Sequence, residues 1–183
     1  GFSVNFSGSG NQYLFGSPVL DNLTIANTSP TEKVDASNCH SLKVNNLLDL
    51  QDGHFISATI YGNVNIGSGT TLTLSDDVTV TGNWTNNGTF SPNNYLVTFK
   101  GTSQQNIGGT IQTSFYRFEL DNANGLLLNQ TTRITNELLL TNGNIVLSTN
   151  NIELEGSASV TGGTLGAMVV TNNTGKFRKY FPI

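Results

Sequence analysis

An all-β chain wound as a parallel β-solenoid is the fold class this sequence predicts, and three observations predict it. The first is composition. The 183 residues include 25 Asn, 24 Thr and 20 Gly, while charged residues make up only 11%. Asn and Gly accept the left-handed backbone of tight turns and Thr prefers strands, so many short strands joined by many turns are expected. The second is alternation. In "GTTLTLSDDVTVTGNW" (residues 69–84), Leu72, Leu74, Val78, Val80 and Trp84 fall on even positions, while Thr71, Thr73, Thr79 and Thr81 fall on odd ones. Period two is the signature of a strand with one buried face. The third is spacing. Apolar runs of three to seven residues are separated by corners of two or three Gly, Asn or Asp residues, as the rungs of a narrow coil require.

Taken in order, strand-like runs cover residues 4–6, 23–25, 42–44, 48–50, 60–66, 72–74 and 78–84. They resume over 97–99, 116–120, 126–128, 134–140, 145–147, 152–154 and 169–170. No window of a dozen residues has the i, i+3, i+4 apolar spacing of a helix. The best helical candidate, "TNELLLTNG", is cut short by Asn142-Gly143. Residues 29–41, "SPTEKVDASNCHS", fit no slot of the pattern. The alternative architecture is a pair of β-sandwich domains of about 100 residues each. The solenoid explains more, because it requires inward Leu, Ile and Val backed by outward Thr, Asn and Ser that can hydrogen-bond from rung to rung.

The chain also repeats itself. "VNFSGSGNQYLFG" (4–16) lies over "VTFKGTSQQNIGG" (97–109), and "LKVNNLLDLQDGHF" (42–55) over "TRITNELLLTNGNI" (132–145). In the second pairing Val44 meets Ile134, Leu48 meets Leu138, Leu50 meets Leu140, and the corners Asp52-Gly53 and Asn142-Gly143 coincide. We therefore expect one solenoid segment, 1–183, duplicated as about 1–92 and 93–183. Its first residues already read as a strand in progress, which suggests a piece of a longer protein.

"GNWTNNGTF", "VTFKGTSQQNIGG", "ELLLTNGNIVL" and "GKFRKYFPI" resemble the Asn/Thr/Gly-rich repetitive regions of large secreted proteins of Bacteroidota bacteria. The resemblance covers nearly all of residues 60–183 and, more loosely, 2–55. It implies export, commonly by the type IX route, and an extracellular or cell-surface location in an adhesin-like protein. It also implies flanking domains, surface glycans or the secretion and anchoring machinery as partners.

The chemistry is sparse. A net charge of −4 gives no basic footprint for nucleic acid. Lys176, Arg178 and Lys179 read as a solvated edge. No apolar run approaches the roughly 20 residues of a membrane helix, so no membrane insertion is expected. One cysteine, Cys39, excludes an intrachain disulfide. Cys39, His40 and His54 lack zinc-site spacing, there is no G-x-S-x-G elbow, and the Gly-rich nonapeptide that cradles calcium in other solenoids is missing. No cofactor is expected; structural calcium is compatible with the fold, but no motif supports it. Asp76-Asp77 reads as a corner whose side chain caps its own backbone. Glu153 and Glu155 share a strand face, with no Arg or Lys among these acids in sequence, as a polysaccharide lyase would want. Most aromatic residues occupy alternating slots and read as core, leaving Tyr95 and Tyr116 as the exposed candidates for stacking on a sugar.

The functional expectation is a secreted, non-enzymatic structural or adhesive module: a stiff stalk whose ends are covered by neighbouring domains. The alternative is a carbohydrate-binding module on the same scaffold. A polysaccharide lyase-like enzyme and an ice-binding array of T-x-T pairs rank below both.

Overall fold

Every coil of this chain has to bury one side of three short strands, and stacking coils is how it does so. The computed structural model describes residues 1–39, 41–57 and 59–181; His40 lies outside the described residues. Among the described residues there is no helix, and parallel strands stack as a solenoid of about eight turns. Each turn has three faces. Two are unbroken ladders of parallel strands along the molecule, and the third is two ladders, interrupted between Thr89–Ser91 and residues 113–115. At roughly 4.8 Å per strand the turns advance about 40 Å along the axis.

On the first face the inward positions read Phe6, Ile25, Leu50 and Ile66 in register. The same face continues through Trp84, Ile107 and Leu128. On the second they read Leu20, Val44, Tyr61, Val80, Phe99, Leu120, Leu140 and Gly162. The third begins with Gln12, Val34, Phe55, Leu72 and Phe90. It continues, past the contact of the Phe90 and Phe115 rings at 5.5 Å, with Phe115, Ile134, Leu154 and Lys179. The named ladders are all parallel and one apolar cluster runs from Leu20 to Ala167, so the two-sandwich alternative is excluded. In the stretch 69–84 the apolar even positions are buried as alternation predicts, and Thr71–Leu74 and Val78–Val80 are strands of adjacent faces separated by the corner 75–77. The run expected over 78–84 is, however, broken by a second corner at 81–83, which puts Trp84 on the first face.

Two further expectations need correcting. Residues 42–44 and 48–50 are not separate strands but parts of one eleven-residue strand, Leu42–Asp52. A register shift between Val44 and Leu47 bends it around a corner, as a bulge does. The described part of residues 29–41 does have a place. Lys33–Asp35 is a rung of the third face, and the buried Cys39 thiol donates to Leu14 O at 3.0 Å. Burial, and then Asp35, push that thiol's pKa up, away from reactivity.

Uncharged amides hold the corners. Buried Asn27 donates to Gly10 O and Gln12 Oε1 and accepts from the Ser29 amide. Buried Asn122 repeats the set, donating to Ser103 O and Gln105 Oε1 and accepting from the Asn124 amide. On the outside, Asn46, Asn63, Asn83, Asn106 and Asn129 are hydrogen-bonded from coil to coil.

Candidate functional site

The connectors between the second and first faces are uneven, and a groove lies along the corner they form. There is no connector in Thr59–Ile66, three residues follow Val78–Val80, and five follow Leu96–Phe99. The groove, of about 820 Å³, crosses several coils. Its lining includes Lys43, Thr79, Thr81, Lys100, Asp121 and Asn142. Lys100 Nζ meets Asp121 Oδ2 at 2.6 Å, and that hydrogen bond and charge hold the ammonium above its ordinary pKa. Lys43 has no ion-pair partner among the described residues. Hydroxyls, amides and one unpaired ammonium along a linear channel can hydrogen-bond a polyhydroxylated, extended ligand.

A second cluster lies on the outward side of the third face. Arg133, Glu153 and Arg178 occupy one position on three successive coils. Glu153 Oε1 meets Arg178 Nη1 at 3.3 Å, Arg133 Nη1 meets Glu155 Oε1 at 3.1 Å, and Gln112 Nε2 donates to Glu153 Oε2 at 3.3 Å. In sequence no basic residue lies among these acids. Coiling brings in Arg133 from 20 residues before Glu153 and Arg178 from 25 after it. Both carboxylates are engaged by guanidinium groups, which neutralises them and ties three coils together.

Tyr95 and Tyr116 sit near the corner between the third and second faces, on consecutive coils. Both are half-buried, and Tyr95 packs against the core. The aromatics of the central coils go inside as expected: Trp84, Phe99, Phe115 and Phe118 are buried, with the Trp84 and Phe90 rings 4.7 Å apart and those of Phe115 and Phe118 5.1 Å apart. By contrast Phe2, Tyr13, Phe15, Phe177, Tyr180 and Phe181, near the two ends of the chain, are exposed. Asp76 Oδ1 accepts the Asp77 amide, while Asp77 Oδ1 accepts the Leu96 amide of the next coil, so the pair caps backbone. The T-x-T pairs lie on different faces: Thr73 is flanked by Ile56 and Ser91, Thr79 by Ile60 and Thr98. His54 Nε2 is 2.8 Å from Thr73 Oγ1. Among the described residues no group of three or more His, Cys, Asp or Glu could hold a metal ion, and no helix is long and apolar enough to cross a membrane.

No protein-family model, curated protein or solved structure matches this chain.

Proposed function

We propose that this chain is a non-enzymatic structural and adhesive module, a stiff solenoid stalk that works outside the cell, on or near a bacterial surface. The observation that carries the reading is the uninterrupted core. Two faces keep unbroken ladders through the stack, and the third is broken only between Thr89–Ser91 and residues 113–115, where the Phe90 and Phe115 rings pack instead. Bending the rod therefore breaks packing and hydrogen bonds together. Thr, Asn and Ser recur at outward positions, among them Thr24, Asn65, Thr71, Thr79, Thr85 and Thr98, which suits a solvated shaft. Flanking domains would carry the anchor and the principal recognition site, and type IX export would bring the module outside.

The test is accessibility on intact producing cells, with an antibody raised against this segment. Surface labelling that is removed by external protease is the expected result. Antigen detected only after lysis sinks the extracellular reading, and release of reducing ends from a polysaccharide panel sinks the non-enzymatic one.

The axial groove favours carbohydrate binding as a second reading. A glycan array probed with wild type, a Lys43→Ala, Lys100→Ala variant and a Tyr95→Ala, Tyr116→Ala variant separates two sites. Loss in the lysine variant assigns the groove, and loss in the tyrosine variant assigns the aromatics. A folded wild type that binds no glycan removes the carbohydrate reading and leaves the stalk.

A further inference from the structure

The end of the solenoid nearest Gly1 carries an apolar floor. Phe2 is 78% exposed, Phe15 66% and Val19 57%, and behind them Val4, Phe6 and Leu14 are only partly buried. Among the described residues Ser3–Gly8 pairs on one edge only, with Val19–Asn27, and Gln12–Tyr13 only with Lys33–Asp35.

The molecule contains the same floor a second time, and there it is covered. Val4↔Leu23 and Phe6↔Ile25 correspond to Val97↔Phe118 and Phe99↔Leu120. The next ladder corresponds too: Leu20↔Val44, Leu23↔Leu48 and Ile25↔Leu50 match Phe115↔Ile134, Phe118↔Leu138 and Leu120↔Leu140, with register shifts at the same places. Gln12 with Asn27 matches Gln105 with Asn122, hydrogen bond for hydrogen bond.

In the second occurrence the covering coil is Val78 to Ser91. Val78–Val80 pairs with Val97–Phe99, and Trp84 pairs with Ile107, the counterpart of Leu14. The Phe90 ring lies 5.5 Å from that of Phe115, the counterpart of Leu20. The Gln105 amide donates to Val80 O at 3.0 Å and is 1% exposed, whereas Gln12 is half-exposed and donates to Ser7 O.

We propose that the N-terminal end of this solenoid is a docking socket for one further parallel β-coil with the chemistry of residues 78–91. The occupant supplies two β-branched residues in alternation, a Gly-Asn corner, an aromatic four residues after the second of them and another six residues later. Strand addition to the open edges supplies register, and the two aromatics fill the floor. A second copy of this chain does not fit that description. Its strand in the place of Val78–Val80 is Phe177–Lys179, since Tyr61↔Val80 corresponds to Leu154↔Lys179. That would set the Lys179 ammonium against Phe6. The proposal does not depend on the stalk reading or on where the module is displayed.

The test extends the full chain with a copy of residues 78–93 placed directly before Gly1, the spacing found inside the molecule. A control extension carries Trp84→Ser and Phe90→Ser in the copied segment only. The first extension is expected to slow amide exchange of residues 3–8 and 12–13 by about tenfold or more and to reduce binding of a hydrophobic dye. The control should do neither. Exchange and dye binding unchanged by the first extension overturn the proposal. So does a concentration-dependent dimer of the unextended chain, seen by sedimentation and abolished by the extension, because a second copy would then be the occupant.

Discussion

Asn122 is the kind of residue a solenoid corner depends on, polar yet 1% exposed. Its side-chain amide donates to Ser103 O at 2.8 Å and Gln105 Oε1 at 3.0 Å, and its carbonyl accepts the Asn124 amide at 2.9 Å. Alanine there removes all three bonds and strands their buried partners. Urea unfolding of Asn122→Ala should therefore show a loss of roughly 2–3 kcal/mol. Gln105→Ala should be strongly non-additive with it, since both belong to one network; simple additivity would mean the amides act independently. His54 offers a pH test. Burial holds its imidazole below the ordinary value, Lys33 adds to this and Asp35 opposes it. With the folded pKa below the unfolded one, the unfolded chain takes up the proton first. Stability is thus full above about 6.5 and lost as pH falls through the folded value. His54→Gln should flatten stability against pH over that acid side, and an unchanged slope would assign the acid sensitivity elsewhere.

At the scale of the element, a corner must bring the chain close to the coil beside it. Gly143 has φ +83 and Gly53 φ +80, and a Cβ on either would strike the carbonyl oxygen of the buried asparagine one coil away, Asn122 or Asn27. Gly69 has φ +79 but open space around it. Gly69→Ala should cost only the left-handed strain, about 1 kcal/mol, and Gly143→Ala roughly 3 kcal/mol or more; equal midpoints in denaturant would refute the close approach. These corners were readable in advance, because Asp52-Gly53 and Asn142-Gly143 coincide when the halves are aligned. The inward slots were equally readable, because alternation fixes them whichever coil stacks above. What alternation could not reveal is where a strand keeps going around a bend, since a bulge leaves both flanking segments in phase with their own faces. Nor could it reveal that residues 97–99 lie on the second face while their counterparts, 4–6, lie on the first. The repeat length is not a whole number of turns.

For the molecule as a whole, side chains far apart in sequence become neighbours only when the coils are counted, and coil length varies with each connector. Lys43 and Lys100 share a groove, and Arg133 and Arg178 flank Glu153, for reasons no local motif contains. The half-burial of Tyr95 follows from the same stacking, which sets the next coil beside it. In such an array each coil contacts only its neighbours, so stability is a sum of coil and interface contributions and is greatest where the interface is best packed. That place is the middle, where the Trp84 ring contacts that of Phe90 in its own coil and those of Phe99 and Phe115 in the next. Native-state hydrogen exchange should be slowest in Trp84–Asn86, Leu96–Phe99 and Thr113–Asp121, and fastest in Ser3–Gly8, Val169–Val170 and Phe177–Lys179. Trp84→Ala should cost roughly 3–5 kcal/mol. Because the loss falls at the junction of two near-equivalent halves, it should also split one unfolding transition into two. If protection is uniform from end to end and the variant still melts in one step, coupling between coils exceeds the stability of any single one. The rod would then unfold as one block, stiffer along its length than nearest-neighbour packing allows.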